Sequence, residues 1–129
     1  MQIIKKSISI ILIFTSFLLF TNLSHAKTKL KERDYQTVDC GRIGGNTETL
    51  VDGGRVDCET KYSVIEYDFA KKHHECLSQA LYYSRITGKY GICSLIIESK
   101  KDFKYIKRIE DTIKYYNLKI TVDTIENLN

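Results

Sequence analysis

The chain contains no proline, so its turns and helix ends must be set by glycine and asparagine. It has no internal repeat and no low-complexity tract, which sets aside solenoid arrays and compositionally disordered chains. No two cysteines are close enough to make a Cys-x-x-Cys pair, so the common zinc motifs are absent. Neither sign of charge is in large excess. Lysine and arginine total 20 against 16 aspartate and glutamate, a formal net charge of +4. Without Lys5 and Lys6 the balance is 18 against 16, or +2. A strong nucleic-acid binder usually carries more, although a local patch can still act.

What is present begins with an address. Lys5 and Lys6 give a positive start, and Ile8 to Phe20 is an almost unbroken apolar run. That run is shorter than the roughly 18–20 residues that span a bilayer comfortably. Ser24-His25-Ala26 puts small residues at the two positions a signal peptidase reads. Residues 1–26 are therefore read as a signal peptide cleaved after Ala26, with an uncleaved anchor as the alternative. No cysteine follows that point directly, which argues against a bacterial-type lipid anchor. The expectation is an exported protein, periplasmic or secreted, with no stable membrane association after cleavage.

Residues 27–129 are the size of one domain. Residues 27–45 read as an N-terminal arm, whose charged part 27–38 is a loose arm or short helix, and 46–129 as an α/β domain. Cys40, Cys58, Cys76 and Cys93 make an even count in an oxidising compartment. One or two disulfides are expected, with three full pairings open and buried thiols as the other reading. His73 and His74 are adjacent and project about 100° apart on a helix, so they read as partly exposed helix residues rather than as a ligand pair.

Strands are expected at 47–51, 55–60 and 62–69, with Asp52-Gly53-Gly54 as a tight hairpin turn. A helix follows over 70–87, ended by Gly88. The apolar run containing Ile92, Leu95, Ile96 and Ile97 suits an interior strand. Phe103, Ile106, Ile109, Ile113 and Tyr116 recur at helical spacing and predict the core face of a second helix. Asn117 ends it, and 119–125 alternates as a last strand. The order β-β-β-α-β-α-β gives an α/β (α+β) fold, a mixed sheet made of a three-strand meander followed by α-β-α-β.

The most informative stretch runs from Asp57 to Tyr83. Side chains alternate along a strand, so Glu66 and Asp68 share one face, and Asp57 can join them from the neighbouring strand. Converging carboxylates repel, and a fold that gathers them usually expects a hard divalent cation. That points to Mg²⁺ or Mn²⁺. On the helix that follows, Lys72, Cys76, Gln79 and Tyr83 form one stripe and Leu77, Leu81 and Ser84 another. The leucine stripe belongs in the core. Helical geometry alone favours a solvated edge for the polar stripe over a place beside the carboxylates.

With these residues the chain resembles the PD-(D/E)XK nuclease superfamily, the restriction-endonuclease-like fold. Asp57 matches the family's first acidic position and Glu66 the second. Gln79 and Tyr83 match the Gln-x-x-x-Tyr helix of the RecB-type and phage-exonuclease subset, and Glu48 is the candidate for its upstream acid. The match spans roughly residues 46 to 98, and the segment is also similar to small exported bacterial proteins of the same arrangement. The resemblance implies metal-dependent hydrolysis of nucleic acid, DNA foremost. Asp57 and Glu66, with Asp68 or Glu48, would hold the metal. Arg55, Gln79 and Tyr83 would position the substrate. Asp68 stands where the family carries its catalytic lysine. Lys72 is the expected replacement, ahead of Lys71, because it shares the stripe with Gln79 and Tyr83. The alternative is a fold that has lost the chemistry and serves as a binding or interaction module. Lys100, Lys101, Lys104, Lys107, Arg108 and Lys114 load the second helix with charge, but Glu110 and Asp111 interrupt them and a solvated face is expected.

Overall fold

The computed structural model describes residues 29–126; the expected signal peptide, 1–26, lies outside the described residues. The fold is α+β. Helix α1 (Glu32–Arg42) precedes a hairpin of β1 (Asn46–Val51) and β2 (Gly54–Glu59), and β3 (Ser63–Phe69) completes the meander. A 3-10 turn at Ala70–Lys72 leads into α2 (His73–Thr87), then β4 (Tyr90–Ile97), α3 (Phe103–Tyr116) and β5 (Ile120–Glu126). The five strands lie in sequence order in one mixed sheet. β1–β2 and β2–β3 pair antiparallel, β3–β4 and β4–β5 parallel.

Local chemistry sets the corners. Val51 pairs with Gly54, leaving Asp52 and Gly53 as a two-residue loop, and Gly53 takes φ 77°, which only glycine adopts without a steric cost. Thr60 Oγ1 accepts the backbone N–H groups of Tyr62 and Ser63 and closes the next turn. Gly88 and Asn117, both left-handed, end α2 and α3, the two C-caps expected from the sequence. Asp102 Oδ2 accepts from the backbone of Glu98 and Ser99 and so starts the turn into α3.

The core forms on both sheet faces. On one side Cys93, Leu95 and Ile97 of β4 meet Cys76, Leu77 and Ala80 of α2 and Ile106 and Ile109 of α3. On the other, Cys40 of α1 packs with Cys58, Ile65 and Tyr67. Burial on both faces is why β4 reads as a near-continuous apolar run. Disulfides Cys40–Cys58 and Cys76–Cys93 tie α1 to β2 and α2 to β4, choosing one of the three pairings.

The N-terminal segment takes its short-helix alternative, and α1 buries Tyr35, Gln36 and Cys40 against the sheet. Two other expectations are corrected. The core face of α3 is shorter than its spacing suggests. Phe103 and Tyr116, the two end residues of the helix, are 53% and 68% exposed, and Tyr105 packs on the core. His73 is buried rather than partly exposed. Its ring lies 3.9 Å from that of His74 and 5.3 Å from that of Tyr105, and burial foremost lowers its pKa. Among the described residues no helix is long and apolar enough to cross a membrane.

Candidate functional site: a carboxylate cleft

The parallel register Glu66↔Cys93 and Asp68↔Leu95 puts both acids of β3 on the face that carries α2. β2 and β3 pair only at Cys58↔Ile65 and Glu59↔Val64. One step further on, side chains take over from the ladder. Asp57 N–H donates to Glu66 Oε1 at 3.2 Å, and Tyr67 N–H donates to Asp57 Oδ2 at 2.9 Å. The two carboxylates thus hold the strands apart and open a cleft of about 720 Å³ between them and the start of α2.

Glu48 enters the same cleft from β1 with φ 56°. A glutamate in the left-handed region is uncommon and costs about 1–2 kcal/mol, so its surroundings must hold it. They do so through α1. Gln36 Nε2 donates to Glu48 Oε1 at 3.0 Å and to the Asp57 carbonyl at 2.6 Å. Arg55 pairs with Glu48 Oε2 at 3.2 Å.

The α2 stripe corrects the solvated reading. Lys72, Gln79 and Tyr83 all line the cleft, and Cys76 is buried beneath it, with its sulfur 3.6 Å from the Glu66 carbonyl. Tyr83 is buried against Val56 and Val64, while Gln79 is exposed. Lys72 Nζ lies 3.7 Å from Asp68 and 2.9 Å from Glu32. Lys71, the other lysine considered, pairs instead with Glu98 at 3.9 Å.

Three contributors are absent from the sequence reading: Glu32 and Gln36 of α1, and Glu75 of α2. Glu32, Gln36 and Cys40 follow one another at i, i+4 and i+8, so an anchored cysteine and a polar stripe on its helix face were there to be read. Glu75 carried no such sign.

The electrostatics follow from burial and crowding. Glu66, 2% exposed, has its pKa pushed up to about 8, by burial first and then by the charge of Asp57. Asp68 rises to about 7 through burial and the nearness of Glu32, against the lowering effect of Lys72. Asp57 is also raised by burial, offset in part by its bond from Tyr67. Six carboxylates (Glu32, Glu48, Asp57, Glu66, Asp68 and Glu75) face two cations, Arg55 and Lys72. Such an all-oxygen donor set suits a hard cation. Among the described residues, however, no three His, Cys, Asp or Glu side chains are grouped as a ready metal cage. Their oxygens turn instead to Asp57 N–H, Tyr67 N–H, Gln36 and Lys72.

Fold and site together define an α+β domain with a mixed five-stranded sheet, two disulfides and an acidic cleft where the antiparallel strands part. No family model, curated protein or solved structure matches the chain.

Proposed function

We propose that this protein is an exported, metal-dependent nuclease-like phosphodiesterase, built on a restriction-endonuclease-like core and acting on nucleic acid, with DNA as the first substrate to test. The observation that carries the reading is the meeting of Asp57, Glu66 and Asp68 with Lys72, Gln79 and Tyr83 in one open cleft. Two disulfides suit an oxidising compartment.

Asp57 and Glu66, with Asp68 or Glu48, would hold Mg²⁺ or Mn²⁺. Such an ion supplies Lewis-acid polarisation of a phosphate and an acidified water. Lys72, within 3.7 Å of Asp68, would orient the attacking water or offset charge developing on the phosphate. Arg55, which pairs with Glu48 here, would contact a neighbouring phosphate. Gln79, exposed at the cleft wall, would position the substrate together with Tyr83, which lines the same cleft.

One specific observation favours a second reading, a nuclease-like scaffold kept for binding. Asp68 adds negative charge where the resembled family carries lysine, and the inner carboxylates already have partners within the chain. The deciding experiment is cleavage of single- and double-stranded DNA by the oxidised protein with Mn²⁺, with Mg²⁺ and with chelator. Metal-dependent cutting, lost in Glu66→Gln, supports the enzyme. A folded protein that binds DNA without cutting it supports the scaffold.

A further inference from the structure

Beside the carboxylate cleft lies a groove of about 450 Å³, lined by Lys29, Lys31, Lys71 and Lys72 around Phe69 and Glu32. Glu32 and Lys72 border both depressions, so the two are adjacent. Their charges are opposite. Six carboxylates against two cations make the cleft a place for a cation, whereas four lysines against Glu32 and the neighbouring Glu98 leave the groove with an excess of positive charge that suits an anion.

The groove also has an aromatic floor. Lys29 Nζ and Lys71 Nζ lie 5.7 and 5.5 Å from the centre of the Phe69 ring. Glu98 holds both ammonium groups, at 2.8 Å and 3.9 Å. The ring also meets that of Tyr35 edge to face, 6.2 Å between centres, and it is half-buried. Both ammonium groups lie over the ring on flexible stems, so phosphates that draw them outward would leave the aromatic face to a base.

We infer that this groove carries the nucleic-acid strand flanking the scissile phosphate, with its phosphates on Lys29, Lys31 and Lys71 and an unpaired base against Phe69. Its placement rests on the phosphodiesterase reading of the cleft, and it names the substrate class, single-stranded nucleic acid or a frayed end. In a duplex the bases are stacked inside and cannot lie on a protein ring, whereas an unpaired base can. The change of sign at the Glu32–Lys72 pair, 2.9 Å apart, then marks where the strand passes from the lysine groove to the cation-requiring cleft.

The test is equilibrium binding of a labelled single-stranded oligonucleotide and of its duplex to the oxidised protein in chelator, across a range of salt. Each phosphate contact removed lowers the slope of log affinity against log salt by about 0.7 for a single strand. The double variant Lys29→Gln/Lys71→Gln is therefore expected to lose about 1.4 of that slope. Phe69→Leu, which keeps an apolar side chain over Tyr35 but removes the aromatic face, is expected to weaken single-strand binding about tenfold and leave duplex binding unchanged. Thermal melts of both variants show whether they are folded, and the lysine pair is exposed enough to test the groove by itself. An unchanged slope, tighter binding to duplex than to single strand, or equal binding to a polyphosphate that has no bases would each overturn the inference. Because chelator stops any cutting, the outcome separates from that of the enzyme reading. Lysine-dependent binding by a protein that never cleaves keeps the groove and loses the phosphodiesterase. Cleavage and binding unaffected by the lysine and Phe69 variants do the reverse.

Discussion

Glu66 Oε1 accepts the backbone N–H of Asp57 at 3.2 Å, at the step where β2 and β3 stop pairing as a ladder. A carboxylate occupies the place a carbonyl of the partner strand would take, and Asp57 repays the exchange by accepting from Tyr67. The same two side chains therefore shape the cleft and supply its charge. Removing either leaves a backbone donor to find another partner, so the conservative variants to use are amides.

The raised carboxylates should make the metal-free protein less stable as pH rises. Glu66 moves from 4.5 to about 8 and Asp68 from 3.8 to about 7. Between the ordinary and raised values the folded chain holds protons that the unfolded chain has released, so unfolding free energy falls with pH across that window. Melting in chelator, scanned from about pH 5 to about pH 8, is expected to show the decline, and Glu66→Gln to remove roughly half of it, the rest belonging to Asp68 and Asp57. Mg²⁺ or Mn²⁺ should restore stability chiefly at the upper end, where fewer protons must be displaced. A melting temperature that rises across the window would contradict this account.

Glu48 is held in the left-handed region by its partners, not by its own preference. Glu48→Gly should leave stability unchanged or raise it by about 1 kcal/mol, while weakening Mn²⁺ binding. Urea unfolding and metal titration of the same variant separate the two effects. A loss of several kcal/mol would show that the bond to Gln36 outweighs the backbone strain.

Gln36 joins α1 to both Glu48 and the Asp57 carbonyl from a buried position. Gln36→Ala is expected to cost about 1–3 kcal/mol, because two acceptors lose their donor in a part-buried setting. Its effect on Mn²⁺ affinity should not add to that of Glu48→Gly, since the two residues act through one contact. Strict additivity in the double variant would assign them independent roles.

The disulfide Cys40–Cys58 closes an 18-residue separation, and Cys58 follows Asp57 directly. Replacing the pair by serine should destabilise the fold by about 3 kcal/mol and loosen α1, which carries Glu32 and Gln36. Cys76–Cys93, separated by 17 residues, should cost a similar amount. If only the first pair is coupled to the cleft from α1, hydrogen exchange at residues 32–42 will rise in its serine variant and not in the second.

Lys72→Met tests the displaced lysine. With the carboxylates intact, Mn²⁺ affinity should hold or increase while cleavage falls on the order of 10²–10³-fold. Equal cleavage by variant and parent would remove Lys72 from the chemistry and leave its role as a partner of Glu32.

Much of this was legible in the sequence. Strand alternation has a period of two and depends on neighbours alone, so the shared face of Glu66 and Asp68 could be read locally. Turn and cap chemistry is local too, which is why Gly53, Gly88 and Asn117 stand where expected. The element order of the sheet and its α+β class came from the same kind of signal.

Only the tertiary structure decided what long-range packing decides. Periodicity divides a helix into faces but does not say which neighbour each face meets. The stripe of Lys72, Gln79 and Tyr83 could not be told from a solvated edge until α2 lay against the parting of β2 and β3. Cysteine count allows three pairings; the placement of α1 over β2 and of α2 over β4 selects one. Glu32 and Gln36 join the cleft because α1 packs on a sheet that begins later in the chain. The raised proton affinities of Glu66 and Asp68 exist only once burial removes their water. Sequence determined which groups were available, and packing determined which of them meet and in what charge state.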